Sequence, residues 1–206
     1  MAGYFTNHTF RFLRELTDNN NRPWFQENKP RYEKHVKGAA TEFITDFGPH
    51  LRRVSKHFVA DPGPVGGSLF RIYRDTRFSK SKTPYKTAIG IRFTHELGKD
   101  VHAPGYYLHL ANGEIFAACG IWHPDGESLG KIREAILADG AAWKRAKSAR
   151  AFASGWTLGG ASLKRAPKGY DPDHPLIEDL RRKDFIASTK LTKKAVMAED
   201  FPAELA

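Results

Sequence analysis

Cys119 is the lone cysteine among 206 residues, which excludes an internal disulfide framework and any zinc site built on several thiolates. Long apolar runs are missing too. No stretch approaches the roughly 20 residues a membrane helix requires, so no segment is expected to span a bilayer. The first residues, Met1 to His8, lack a basic start followed by an apolar core and do not read as a secretory signal. Acids are the third scarcity: 23 Asp and Glu face 33 Lys and Arg, a net charge of +10. These absences describe a cytoplasmic chain without a membrane partner, one that favours anionic partners such as phosphorylated metabolites, nucleic acid or acidic surfaces. The residues present complete the class. Hydrophobic residues at 40% and aromatics at 12% supply a core and exclude wholesale disorder.

The positive charge is uneven. Residues 71–86 carry six cations and one acid, and residues 144–194 carry thirteen cations and five acids. A mildly acidic stretch separates the two blocks.

Periodicity divides the chain. After a capping Thr6, Phe5, Thr9, Phe12, Leu13 and Leu16 recur at helix spacing. Asn19-Asn20-Asn21 breaks that pattern. Pro23 opens a second stripe with Trp24, Phe25, Tyr32 and Val36, which Pro30 is expected to kink. A third stripe runs from Phe43 through Phe47, Leu51 and Val54 to Phe58, interrupted at Gly48-Pro49. The period then becomes two. Leu69 to Tyr73 reads as a short strand, and Ile89, Ile91 and Phe93 alternate with smaller or polar residues.

Tyr106 to Ala111 and Glu114 to Trp122 flank Asn112-Gly113, which predicts a hairpin closed by a type I′ turn. One face of it carries Tyr106, Leu108, Leu110, Ile115, Ala117 and Cys119; the other carries Tyr107, His109 and Phe116. Asp125 is placed to cap a helix through Ile136, with Gly140 after it. A helix over 142–153, a strand at Ser162-Leu163-Lys164, a helix over 176–182, a strand over 184–188 and a helix capped by Thr192 complete the reading. Helices followed by strands and then mixed elements predict a single α+β domain over 1–206, with N-terminal helices packed on a mostly antiparallel sheet.

The densest chemistry is Arg71-Ile72-Tyr73-Arg74-Asp75-Thr76-Arg77-Phe78-Ser79-Lys80-Ser81-Lys82-Thr83-Pro84-Tyr85-Lys86. Arginine forks and lysines suit phosphate or carboxylate, and Asp75 is placed to orient an arginine. Equally, Asp75 pairing with its neighbours would staple a loop. The pattern Arg71-x-x-Arg74-Asp75-x-Arg77-Phe78, followed by Lys82 and Tyr85, resembles the hallmark of a family of conserved hypothetical proteins, domain of unknown function 2461. Phe12-Leu13, Leu16, Asn19-Asn20, Trp24-Phe25 and Pro167-Lys168-Gly169-Tyr170 are similar to that family as well. The resemblance covers nearly the whole chain and implies one intact domain with a shared site, but no reaction. The family commonly has Asp or Asn before the lysine, where this chain has Ser81.

Nine histidines form no metal spacing; His95-Glu96 lacks the second histidine of a zinc helix. His109, seven residues after His102, is placed for acid–base work or a structural hydrogen bond. His123 sits where a strand meets a helix, with Asp125 as a local partner. The Gly63 to Ser68 loop lacks the Gly-Lys-Ser/Thr ending of a nucleotide loop. Lys164, Arg165, Lys168 and Tyr170 lie in a Gly/Pro-rich loop that is either a cover for an anion or plain surface.

The leading expectation is a small anionic, phosphorylated ligand held by Arg71, Arg74, Arg77 and Lys82, oriented by Asp75, with Tyr73, Tyr85, His109 and Trp122 around it. No cofactor or reaction is specified. The rival reading is nucleic-acid binding, with basic residues on phosphates and Tyr73, Phe78, Tyr85 and Tyr170 as stacking groups. A structural or partner-binding role is the third.

Overall fold

The computed structural model describes residues 3–96, 98 and 103–206. His102 lies outside them. The fold is α+β, with an open six-stranded antiparallel sheet ordered β1-β2-β3-β4-β6-β5. The strands are β1 (Phe58–Val59), β2 (Ala88–His95), β3 (Gly105–Ala111), β4 (Glu114–Ile121), β5 (Thr157–Gly159) and β6 (Phe185–Lys190). The chain falls into two compact units.

The first unit comprises 1–96, 106–117 and 191–206. Helix α1 (Asn7–Asp18) starts where the sequence places it. The Thr6 hydroxyl accepts the His8 N–H, and Thr9 Oγ1 accepts the Thr6 N–H. Thr9 also donates to the His35 carbonyl at 2.8 Å, tying α1 to the segment after the next helix. Asn21 caps α2 (Arg22–Tyr32), which contains Pro30 and passes into a π-helix over Glu33–Gly38. Helix α3 (Ala39–Val54) runs unbroken through Gly48-Pro49, contrary to the expected interruption. Pro49 removes one backbone donor, while burial of Phe43, Ile44, Phe47 and Leu51 holds the helix on both sides of it. Phe58 leaves the helical stripe and joins β1, opposite His95.

The core lies between these helices and one sheet face. Phe43 stacks on Phe47 and on Phe201, which opens the C-terminal helix Phe201–Leu205, and Phe47 meets Phe93 of β2 at 4.8 Å. Such aromatic pairs add to the area they bury. Leu108, Leu110 and Ala117 are buried and Tyr106 and Ile115 pack on the core, as the alternation requires. Leu69 to Tyr73 is not a strand. It makes isolated bridges, Leu69 to Ile91 and Tyr73 to Tyr85, because the chain leaves β2 after Phe70 and pairs with its own return at 84–86.

Asn112-Gly113 does join β3 to β4 in two residues, but not by the mirror-image turn expected. Gly113 has φ 82°, whereas His123 is the only non-glycine with positive φ among the described residues, so Asn112, the first central residue, is not left-handed as a type I′ turn requires. The Asn112 side-chain amide donates to the Phe10 carbonyl of α1 at 3.2 Å, a tertiary contact that local turn chemistry does not foresee.

The second unit comprises 97–105 and 118–190. Asp125 caps α4 (Gly126–Ala138) through Ser128 N–H at 2.8 Å. Gly140 does not simply end that helix. Asp139 accepts the Ala142 N–H and starts α5 (Gly140–Ser148), which α6 (Arg150–Ala153) follows. Strands β5 and β6 pair with Leu158 opposite Ala187. The expected strand at Ser162 reduces to one bridge with Arg182. Helix α7 (Ile177–Leu180) supplies Leu180 to a small core with Ile136 and Leu176, against which Tyr170 packs. Tyr170 is thus a packing residue here, with the Arg133 guanidinium over its ring. The last two helices, α8 (Lys193–Val196, capped by Thr192) and α9 (Phe201–Leu205), return to the first unit.

A cation-lined cleft in the first unit

Residues 71–86 form an excursion from the sheet. Ile72 and Tyr85 are buried at its two roots, and the rungs Arg74 N–H to Pro84 O (2.9 Å) and Lys86 N–H to Ile72 O (2.7 Å) close it. Tyr85 stacks on Phe25 at 4.1 Å and is 2% exposed, which makes it an anchor for the excursion. Alternation at these rungs aims Arg74 and Lys86 into a shared concavity.

That concavity has a volume of about 380 Å³ and is lined by Thr17, Asn20, Arg74, Thr83, Tyr85, Lys86 and Thr87. Among the described residues the Arg74 guanidinium faces neutral oxygens: Ser79 and Ser81 at 3.4 Å, and Thr83 in a close contact. The Lys86 ammonium donates to the Arg71 carbonyl at 2.9 Å and lies 5.4 Å from the Phe70 ring centroid. Burial pushes the Lys86 pKa down, and the nearby Arg71 charge pushes the same way. Both side chains are half-buried, and among the described residues neither has a carboxylate within ion-pair distance. Ser81 contributes to this. A carboxylate at that position would neutralise Arg74, whereas a hydroxyl leaves its charge standing.

The remaining candidates are dispersed. Arg77 grips Asp75 through two nitrogens, at 2.7 Å and 3.0 Å, with 76% of its side chain exposed. That grip holds the Asp75 carboxyl below the usual range. Lys82 donates to the Thr76 carbonyl, and Arg71 is exposed. Tyr73, bridged to Tyr85 at the root of the excursion, is 52% exposed, and Phe78, farther out along it, is 95% exposed.

His109 occupies the sheet face opposite the helices, its Nδ1 3.0 Å from the Tyr107 hydroxyl and its ring stacked on Phe116. Burial lowers its pKa, against the pull of Glu114. Trp122 belongs to the second unit, beside His123. His123 pairs there with Asp184 and not with Asp125. Lys86, Thr17 and Asn20 were not singled out by sequence reasoning as lining residues. Only Lys86 carried a signal, as the last cation of the dense stretch; the other two arrive from α1 and its following turn.

Among the described residues no group of three or more His, Cys, Asp or Glu is arranged to hold a metal ion, and no helix is long and apolar enough to cross a membrane. The fold and cleft define an α+β protein built on an antiparallel sheet, with a small cation-lined depression beside its N-terminal helices. The chain belongs to the family of conserved hypothetical proteins described as DUF2461, whose model matches residues 8–206. No curated protein and no solved structure matches it significantly.

Proposed function

We propose that the cleft binds a small anionic ligand bearing a phosphate or carboxylate group, with Arg74 and Lys86 as its cationic contacts. The observation that carries this reading is the pair of half-buried cations facing a concavity with no carboxylate partner among the described residues. Withdrawing a cation from water without a counter-charge is costly, and an anion offsets that cost. Arginine supplies a planar fork and lysine a point charge, the combination suited to a tetrahedral or planar oxyanion. The Thr83 and Thr87 hydroxyls add neutral hydrogen-bonding groups around it, while the Thr17 hydroxyl is engaged with the Leu13 carbonyl and the Asn20 amide with the Tyr85 backbone. Arg71 reinforces the local positive potential. Arg77, with its charge spent on Asp75, takes a loop-holding role.

Calorimetric titration with inorganic phosphate and with a nucleoside monophosphate tests the reading. Arg74→Ala is expected to weaken binding roughly 10- to 150-fold, the loss of one charge-assisted hydrogen bond. Absence of binding by the wild-type chain to either probe removes the proposal.

One observation favours a second reading. Phe78 and Tyr73 stand in solvent among the exposed cations Arg71, Lys80 and Lys82, a stacking and phosphate-contact set that suits single-stranded nucleic acid. Tight oligonucleotide binding with a log–log salt slope of roughly −2, the value for three phosphates neutralised on a single strand, and weakened by Phe78→Ala, would put this reading first.

A further inference from the structure

The two cations of the cleft are not equivalent. Arg74 stays protonated at any pH a folded protein meets, and its planar fork suits an oxyanion but no covalent chemistry. Lys86 is the one amine among the residues that line the concavity. It follows Tyr85, which is held by its stack on Phe25 and by the Asn20 amide on its backbone, so the lysine starts from a fixed point.

Its surroundings set Lys86 apart from the other lysines of the excursion. Lys80 and Lys82 stand exposed, whereas Lys86 is half-buried. Its nitrogen has the Arg71 carbonyl at 2.9 Å and the Phe70 ring at 5.4 Å as neighbours. Burial and the Arg71 charge both favour the neutral amine over the ammonium.

A tie to the Arg71 carbonyl uses one N–H. An exposed lysine makes the same bond at lower cost, so the tie does not account for a nitrogen withdrawn from water beside a second cation. Withdrawal of that kind raises the share of molecules with a free lone pair on nitrogen, which is how a lysine becomes a nucleophile toward carbonyl carbon. The cleft also has more room than a bare oxyanion fills. Its volume of about 380 Å³ falls within the roughly 300–1,000 Å³ of small-molecule sites. A ligand held by its anionic end at Arg74 therefore brings further atoms into the space that Lys86 lines.

We propose that Lys86 forms an imine with the carbonyl carbon of a phosphorylated aldehyde whose phosphate is held by Arg74, an inference that rests on the anion reading of the same cleft. The lone pair on Nζ forms a bond to the carbonyl carbon, and the π pair of the C=O bond moves to oxygen, which takes a proton. The nitrogen loses a proton, the hydroxyl departs with its bonding pair as water after a second protonation, and the nitrogen lone pair closes the C=N bond. Amine and aldehyde give imine and one water, with no change of oxidation state. Hydrolysis reverses the sequence.

The full chain is incubated with pyridoxal 5′-phosphate and sodium cyanoborohydride, which reduces an imine to a stable secondary amine, and the adducts are located by peptide mass. Lys86 is expected to be modified several-fold faster than Lys80. Excess inorganic phosphate is expected to slow Lys86 and leave Lys80 unchanged, and Arg74→Ala to bring Lys86 down to the Lys80 rate. Pyridoxal, which lacks the phosphate, is expected to show no preference for Lys86.

Equal rates at Lys86 and Lys80 in a chain that binds inorganic phosphate overturn the imine and leave the anion reading standing. A chain that neither binds phosphate nor favours Lys86 loses both. A preference for Lys86 that pyridoxal keeps and phosphate does not reduce overturns the tether at Arg74.

Discussion

The side-chain amide of Asn20 satisfies both backbone groups of Tyr85, sixty-five residues away, its Nδ2 donating to the carbonyl and its Oδ1 accepting the N–H, each at 3.0 Å. One amide thereby replaces a missing strand neighbour at the residue that anchors the whole cationic excursion. Asn20→Ala leaves a buried donor and a buried acceptor unpaired and is expected to destabilise the protein by about 2–4 kcal/mol. Asn21→Ala, which removes only a helix cap, is expected to cost about 1 kcal/mol. Urea denaturation of the two variants checks the order, and equal losses would mean that Asn20 acts as a turn residue alone.

Arg74 and Arg77, three residues apart, are expected to behave oppositely. Arg77→Ala removes a solvent-exposed pair and leaves the melting temperature and phosphate affinity unchanged. Arg74→Lys keeps the charge and loses the fork, so phosphate binding falls while the unliganded fold persists. A thermal-melt series with and without phosphate reads both. Loss of affinity in Arg77→Ala with none in Arg74→Lys would move the site to the loop tip.

His109 predicts a pH dependence of stability. Its burial with Tyr107 and Phe116 lowers its folded pKa below the unfolded value of about 6.5. Above that value both states are neutral and the stability is whole. As the pH falls, the unfolded chain takes up the proton first, and stability declines until the folded pKa is passed. His35, lowered by burial and by His8, contributes in the same direction. Melting temperatures between roughly pH 7.5 and 5.5 are expected to fall less steeply in His109→Gln than in the wild type. Parallel slopes would assign the acid sensitivity elsewhere.

Two glycines with positive φ separate backbone strain from collision. Gly113 has open space where a Cβ would stand, so Gly113→Ala is expected to cost only the left-handed penalty of about 1–2 kcal/mol. Gly160→Ala adds a clash with Asp184 and is expected to cost more than 3 kcal/mol, with loss of the His123–Asp184 contact. Calorimetric unfolding of the pair tests this, and comparable losses would show that Asp184 yields.

The amino-acid sequence by itself determined the features that depend on neighbours a few residues away. Phe12, Leu13 and Leu16 fall on one helical face because 3.6 residues make a turn. Thr6 and Asp125 cap because their oxygens reach amides two or three residues on. Asn112-Gly113 turns the chain because glycine accepts a positive φ. The dense cationic stretch was also plain in the sequence.

Tertiary structure decided which of its charges stand free. Arg77 is neutralised by Asp75 two residues before it, while Arg74 meets hydroxyls among the described residues and shares its cleft with Lys86 and with Thr17 and Asn20 from the first helix and its turn. The partnership of His123 with Asp184 spans 61 residues, and a nearer acid, Asp125, was spent on capping α4. Local spacing fixes which groups a short segment presents. Whether a charge is paired, exposed or buried depends on residues brought from distant parts of the chain, and that is settled only when the apolar faces close.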